Sequence, residues 1–180
     1  PVAGKLNIGI LHTSLDGRIG HDNYAPTTLN ELRNKGYSYW ALGHVHTREV
    51  VHEKPYIIFP GNIQGRHIRE TGAKGCYLVT FKDNHEAQLD FKPLDVFRWE
   101  AITVNLDGIE EESEFEGRLT ETVESRNLPF NEIPHGIRII LKGKTNLQTK
   151  KYRFSSGLSA VCSLRDANLD HHVGGIFRVA

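Results

Sequence analysis

Two apolar runs that each lead into a histidine constrain the fold of this chain most strongly. The first is LNIGILH at residues 6–12, and the second is YSYWALGHV at residues 37–45. Both have the length and the β-branched or aromatic content of buried strands. Between them, Thr28, a spaced pair of leucines and a stop at Gly36 predict a short capped helix. Strand, helix and strand in that order predict an α/β sheet.

The rest of the chain divides into further segments. A third strand at residues 56–59 and a hairpin, formed by residues 75–82 and 87–97, follow the second strand. Beyond Trp99, a strand, an amphipathic helix and a strand predict a small β-α-β unit; they cover residues 101–108, 109–127 and 136–145. We therefore expect a core over residues 1–96, a small α+β domain over residues 97–146 and an unplaced tail over residues 147–180.

Composition narrows the classes of protein to consider. The formal net charge of the 180 residues is zero, so no global field indicates a nucleic-acid or membrane partner, and an anionic ligand needs local groups or a metal. Two cysteines, Cys76 and Cys162, are too few for a disulfide framework, which favours a reducing, cytoplasmic setting. No apolar run approaches the ~20 residues of a membrane span.

Two histidines one residue apart are the clearest chemical signal. In an extended chain, His44 and His46 project to one face, roughly 6.6 Å apart. His12 also ends a predicted strand, so the strand ends of one sheet can bring three imidazoles to one edge. Imidazole is the commonest neutral metal ligand. The alternative interpretation is that one histidine caps a carbonyl and the other lies at the surface.

These residues carry a resemblance to a known family. GHVH at residues 43–46 resembles the last metal-binding motif, GHxH, of calcineurin-like metallophosphoesterases, and ILHTS at residues 10–14 resembles the single-histidine motif that precedes it. The segments HTSLDGRIGHDNYAP and YIIFPGNIQGRHIRETGAKGCYLV narrow the resemblance to the bacterial DNA repair exonuclease branch, of the YhaO and SbcD type, which is related to the double-strand-break repair nucleases. The resemblance covers residues 6 to about 95 and extends over residues 98–145 as the capping domain of that family.

The resemblance implies both a fold and a site. The fold is the later half of a metallophosphoesterase α/β/β/α sandwich, followed by a small β-α-β capping domain. His12 and His44 would bind one metal and His46 the other, in a centre of two divalent cations that are most simply Mn²⁺, with Mg²⁺, Fe²⁺ and Zn²⁺ as alternatives. Two such ions clamp the attacking and leaving oxygens of a phosphodiester. The implied partners are DNA and an SbcC-type coiled-coil ATPase, with a homodimer left open and no membrane partner.

The other motifs of the family are missing from this chain. They supply an Asp and a His, a bridging Asp, and an Asn-His pair, all upstream of the single-histidine motif. Only the eleven residues PVAGKLNIGIL precede His12, and they contain none of these motifs. Three neutral imidazoles without a bridging carboxylate do not offset the repulsion between two cations, so we expect this chain alone to be close to inactive. Because it starts at Pro1 and contains no methionine, we expect it to be the later part of a longer nuclease.

The segment PGNIQGRHIRE at residues 60–70 supplies donors suited to phosphate oxygens. The candidate substrate-binding residues there are Asn62, Gln64, Arg66, His67 and Arg69, and two weaker candidates, His21 and Asp22, lie in the loop after His12. The alternative interpretation of the segment at residues 60–70 is a solvated turn in which Arg69 pairs with Glu70 or Glu53. The remaining histidines are read as surface, loop or incidental residues; they are His52, His85, His135, His171 and His172.

The small domain has an acidic and a basic side. The acidic helix would repel DNA, so any DNA crossing this domain should use the basic residues Lys142, Lys144, Lys150, Lys151 and Arg153. Two other classes of function remain open. One is a metallophosphoesterase that acts on nucleotides or phosphoproteins. The other is a non-catalytic module, either a platform for DNA or a protein partner or a mononuclear zinc protein.

Overall fold

The computed structural model describes residues 1–15, 24–130 and 132–145, and the backbone of four short strands beyond residue 150. The helices are α1 (Leu29–Asn34) and α2 (Glu112–Glu124). The first eight strands are β1 (Ile8–His12), β2 (Tyr39–Gly43), β3 (Glu49–Glu53), β4 (Tyr56–Phe59), β5 (Gly75–Phe81), β6 (Ala87–Pro93), β7 (Arg98–Asn105) and β8 (His135–Lys142). The last four are β9 (Lys151–Arg153), β10 (Leu158–Ser159), β11 (Val161–Ser163) and β12 (Gly175–Val179).

The contacts divide the chain into two compact units. The first unit comprises Pro1–Gln64 and Ala73–Asp95, and the second comprises Gly65–Gly72 and Val96–Ala180. The segment Gly65–Gly72 therefore leaves the first unit in sequence and packs within the second. Each unit contains a pair of parallel strands, so the α/β class predicted from the sequence is confirmed in its coarse form.

The first unit is built on a sheet with the strand order β1-β2-β4-β3. The pairs β1–β2 and β2–β4 are parallel, and β3 is antiparallel to β4 at one edge. Helix α1 lies on one face, where the indole of Trp40 donates a 3.1 Å hydrogen bond to the Leu32 carbonyl. The β5–β6 hairpin lies on the other face, where Phe81 meets the ring of Tyr39. Burial on both faces explains why β2 and β4 are nearly continuous apolar runs.

The second unit contains the predicted β-α-β motif. Strands β7 and β8 are parallel over their whole lengths, and α2 connects them. Helix α2 buries one face, composed of Phe115, Leu119 and Val123, against the sheet. Strand β12 pairs with the other edge of β8, and β10 pairs with β12. The short strands β9 and β11 form a separate pair.

Local sequence signals set the ends of the first helix. Thr28 and Glu31 form a capping box at the start of α1, and Gly36, with a φ of +73°, follows its end. Hydrogen bonds from the backbone and hydroxyl of Thr28 hold the pKa of Glu31 below its usual value. Neither α1 nor α2, the helices of the described part of the chain, is long and apolar enough to cross a membrane.

The structure corrects several predicted boundaries. Strand β2 ends at Gly43 rather than Val45, β6 ends at Pro93 rather than residue 97, and β7 begins three residues before the predicted start at residue 101. Strand β3 was not predicted at all. Its sequence, EVVHE, begins and ends with glutamate, as suits a half-exposed strand at the edge of a sheet. These charged residues obscure the alternation of apolar side chains that would have indicated a strand.

Candidate metal centre

Two of the predicted metal ligands lie side by side at one edge of the first sheet. His12 is the last residue of β1 and pairs in register with Gly43, the last residue of β2, and His44 follows directly. The imidazole centroids of His12 and His44 are 5.3 Å apart, with the ring planes at 78°. The carboxyl ends of two parallel strands therefore bring these two side chains together, as the sequence predicted.

Gly43 makes this approach possible. A Cβ at residue 43 would lie 2.9 Å from Nδ1 of His12, closer than real Cβ contacts allow, so a larger residue would displace the ring. The next residue, His44, has a φ of +103°, in the region that favours glycine. Such a backbone costs of order 1–3 kcal/mol and is typical of binding and catalytic sites.

The left-handed backbone of His44 also corrects the extended geometry assumed for the HxH pair. Strand β2 has already ended at Gly43, and the chain bends at His44. His44 is half-buried, Val45 is buried in the core and His46 is exposed. The two histidines are therefore presented by a turn, and their relative direction does not follow from strand alternation.

A tyrosine from the loop after β1 completes the aromatic surroundings. The ring of Tyr24 lies 5.3 Å from His12 and stacks at 6.0 Å on His44. Backbone amides of Ser14 and Tyr24 bond across the base of this loop, the first to the Tyr24 carbonyl and the second to Oγ of Ser14. The buried hydroxyl of Thr13 donates to the Ala25 carbonyl at 2.6 Å. These hydrogen bonds hold Tyr24 and Ala25 beside Thr13 and Ser14, and the Tyr24 ring packs against both imidazoles.

The backbone of His46 is fixed by three neighbours. Its carbonyl accepts from the amide of Asn62 and from Nζ of Lys74, each at 3.4 Å. Gly61, with a φ of +79°, passes so close that a Cβ would lie 2.8 Å from the same carbonyl. Lys74 is only 7% exposed. The segment after β4 therefore supports the GHVH turn from behind, and Asn62 contributes its backbone to that support.

The histidines do not form a closed ligand set on their own. Within the ranges that the structure describes, no group of three or more histidine, cysteine, aspartate or glutamate side chains is placed to hold a metal. His12 and His44 are paired, whereas His46 follows two residues later with an exposed side chain. The assignment of all three as metal ligands stays a prediction.

The predicted substrate-binding segment is divided between the two units. Asn62 and Gln64 belong to the first unit, whereas Arg66, His67 and Arg69 belong to the second. His21 and Asp22 lie outside the described residues. Their roles in substrate binding stay predictions.

Within the second unit, Arg66 is engaged by a buried carboxylate. Its backbone amide donates to Oε2 of Glu70 at 2.8 Å, and its guanidinium contacts Oε1 at 3.0 Å. His67 also approaches Glu70, at 3.8 Å, and Glu70 is only 8% exposed. The alternative interpretation that Arg69 pairs with Glu70 names the wrong arginine, because the turn brings residue 66 back to residue 70.

The surface interpretation is wrong for His135. This residue begins β8 and is fully buried, with Nδ1 2.7 Å from the Ile133 carbonyl and the ring against Phe130. His52 is half-buried in β3, with Nδ1 2.9 Å from the Pro55 carbonyl. His171 and His172 lie outside the described residues.

Three residues near the turn were not singled out from the sequence. Tyr24 and Lys74 carry no sequence signal, because their contacts arise from the tertiary fold. Arg48 follows His46 by two residues, and its guanidinium carbon lies 3.7 Å from the centre of the Phe91 ring. Only the folded chain brings these three side chains to their partners.

Comparison with known proteins supports the resemblance for part of the chain. A scan of protein-family models finds no match. Over 102 residues, or 56% of this chain, the sequence is 45% identical to the uncharacterized metallophosphoesterase YhaO of Bacillus subtilis (strain 168). The chain spans about a quarter of that relative, since the match covers 25% of its length. The resemblance to a metallophosphoesterase is therefore confirmed over a partial region.

Proposed function

We propose, on the premise that part of this chain is related to a metallophosphoesterase, that it contributes one side of a metal-dependent phosphoester hydrolase site. The observation that carries the proposal is the pairing of His12 and His44, with ring centroids 5.3 Å apart, at the ends of two parallel strands. The motif resemblance of ILHTS and GHVH, together with the paired imidazoles, supports a site at this edge of the sheet. That edge is where open α/β sheets bind their ligands.

The side chains present fit part of a divalent metal site. His12 and His44 offer two neutral nitrogen donors of the kind that Mn²⁺, Fe²⁺ and Zn²⁺ accept, and they would hold one ion. His46 would bind a second ion. The described residues add no carboxylate cluster to offset the second charge, so the rest of the ligands would come from elsewhere in the protein. When bound, divalent cations activate water for attack and offset the charge of a phosphoryl group.

The residues around the histidines position them for this task. Gly43 lets the His12 ring lie against the backbone of the neighbouring strand, and Tyr24 packs against both imidazoles. Lys74 and the amide of Asn62 fix the carbonyl of His46. Because these contacts restrain the rings and the turn, the imidazoles are oriented before any ligand arrives.

The finer proposal is that the parent protein is a DNA nuclease of repair. It rests on the sequence resemblance to the exonuclease branch, on the donors of the segment at residues 60–70 and on the second, mixed α/β unit. Glu70 already engages Arg66 and approaches His67, which makes these two weaker candidates for phosphate contacts than Arg69. Asn62 and Gln64 stay candidates on the sequence pattern alone. DNA and an SbcC-type coiled-coil ATPase would be the partners, and Mn²⁺ the working ion, in a cytoplasmic setting.

The test uses the protein encoded by the complete reading frame beside the 180-residue chain. With Mn²⁺, the complete protein should hydrolyse single-stranded DNA and duplex ends faster than p-nitrophenyl phosphate esters. His44→Ala should reduce this activity at least about a hundredfold, since a lost metal ligand removes a large part of the electrostatic stabilisation. The isolated chain should stay near the background rate.

Three outcomes would contradict the proposal in different ways. Unchanged activity of His44→Ala in the complete protein would remove the histidine pair from the site. Preference for phosphate monoesters would replace the nuclease by a phosphatase of the same family. One tightly bound zinc ion in the isolated chain, without hydrolysis, would favour a mononuclear zinc module.

A further inference from the structure

Arg48 lies on the same turn as the proposed metal ligands. It follows His46 by two residues, and its amide nitrogen is 3.0 Å from the Cβ position at Gly61, the glycine that also approaches the His46 carbonyl. Its guanidinium carbon lies 3.7 Å from the centre of the Phe91 ring in β6. Arg48 is therefore attached to the GHVH turn at its backbone and to the hairpin at its side chain.

The ring beneath Arg48 is itself held in place. Phe91 pairs in register with Tyr77 across the hairpin, and the two rings meet edge to face at 5.5 Å. A guanidinium stacked on a fixed ring loses little further rotamer entropy when it binds a ligand, and its N–H groups stay directed outwards in its own plane. The stacking therefore preorganises Arg48 for a planar contact with an oxyanion.

No carboxylate neutralises the charge of Arg48 within the described part of the chain. No carboxylate there lies within ion-pair distance of its guanidinium, and the residue is exposed. Two other cations show the contrast: Arg66 contacts Glu70 at 3.0 Å, and Lys92 contacts Asp90 at 2.6 Å. An exposed, oriented cation without a carboxylate partner in that part of the chain attracts an anion.

We propose that Arg48 binds a non-bridging phosphate oxygen of the substrate and so positions the phosphodiester at the edge that carries His12 and His44. The inference rests on the proposed function, because it assigns the substrate of that function to a specific side chain. Phosphate suits this group because the N–H donors of a guanidinium form charge-assisted hydrogen bonds with phosphate oxygens. The competing role is structural, a staple between the turn and the hairpin.

The experiment measures binding of a fluorescent single-stranded oligonucleotide to the 180-residue chain in EDTA, across a series of salt concentrations. Arg48→Gln should weaken binding about tenfold, as expected for one charge-assisted hydrogen bond. It should also reduce the slope of log affinity against log salt by about 0.7, the value for one neutralised phosphate on a single strand. Arg33→Gln is the matched control, since it removes an exposed arginine of the same unit from α1 and should leave the slope unchanged.

Two further variants separate recognition from preorganisation. Arg48→Lys keeps the charge and should keep the salt slope while losing part of the affinity. Phe91→Leu should likewise keep the salt slope and weaken binding about threefold, because it removes the aromatic ring under the guanidinium and keeps the charge of Arg48. The melting temperature of each variant is recorded, and binding is compared only among variants that melt cooperatively.

The proposal is overturned if wild-type chain does not bind the oligonucleotide, or if Arg48→Gln and Arg33→Gln behave alike. A lower melting temperature for Arg48→Gln with an unchanged salt slope would show that Arg48 only connects the GHVH turn to the hairpin and does not bind phosphate. Failure of the proposed metal function is read separately, by titrating Mn²⁺ into the wild type and into His44→Ala. The oligonucleotide measurement is made without metal and does not depend on that result.

Discussion

The two parallel strand pairs, β1–β2 and β7–β8, have the same topology but different chemistry at their carboxyl ends. In the second unit, the end of β7 closes on itself: Oδ1 of Asn105 accepts from the Asp107 amide, and Oδ1 of Asp107 accepts from the Lys144 amide. In the first unit, the equivalent edge leaves the rings of His12 and His44 facing each other. Parallel strand ends alone therefore do not make a site. The two edges differ in the side chains that they carry, which are imidazoles at the first and an amide and a carboxylate at the second.

The cores of the two units also differ in the length of their helices and in the number of apolar side chains that these helices bury. Helix α2 has 13 residues and buries three apolar side chains on one face, whereas α1 has six residues and one buried leucine. Unit two is stabilised by a regular helix-on-sheet core. The first unit has a shorter helix, glycines that lie close to neighbouring residues, and a histidine, His44, with a left-handed backbone. Such features are expected where a functional site is kept at some cost in stability.

The largest expected effect comes from the core of the second unit. Phe115 is fully buried on the inner face of α2, so Phe115→Ala should lower the free energy of unfolding of that unit by about 3–5 kcal/mol. Denaturant unfolding measures the loss. The nuclear Overhauser effect between the rings of His12 and His44 should persist in the variant. Loss of this nuclear Overhauser effect would show that the two units do not unfold independently, which would contradict their separate treatment.

An intermediate effect is expected at the first edge. Gly43→Ala places a methyl group 2.9 Å from Nδ1 of His12. Because His12 is exposed, the ring should swing away, and the free energy of unfolding should fall by about 1 kcal/mol, the low end for overpacking. The ring-to-ring nuclear Overhauser effect should be lost. Its retention at full intensity would mean that Gly43 does not hold the pair together.

The smallest effect has the opposite sign. Gly117 lies in α2 with open space around its Cβ position, so Gly117→Ala should stabilise the second unit by about 0.5–1 kcal/mol. Thermal unfolding checks the increase. Together with Gly43→Ala, it compares one substitution in two settings, a helix surface and a site edge. A destabilised Gly117→Ala would contradict the regular packing assigned to α2.

Local signals in the sequence account for much of the fold. The Thr28 cap and the glycine after α1, the amphipathic helix α2 and the β5–β6 hairpin were all predicted from short-range patterns. The capping box that Glu31 completes was not predicted. The pairing of His12 with His44 was also predicted, because it requires only two adjacent parallel strands. These features depend on neighbours in sequence or on one strand pairing.

The features that were missed depend on the tertiary fold. Strand β3 forms because β4 lies beside it, and its own residues show no clear alternation. The HxH geometry failed because a turn, and not the strand, presents His44. Tyr24, Lys74 and Arg48 acquire their partners from segments distant in sequence, at residues 44, 46 and 91. No pattern within a short window specifies such contacts.

The most direct test of a metal site at His12 and His44 is the order in which Mn²⁺ broadens the histidine resonances of the 180-residue chain. Paramagnetic broadening reports proximity to the ion even when binding is weak. We expect the imidazole signals of His12 and His44 to broaden first, at Mn²⁺ concentrations that leave His52, His85 and His135 sharp. Equal broadening of all exposed histidines, or earlier broadening of His52 or His85, would contradict a metal site at the ends of β1 and β2.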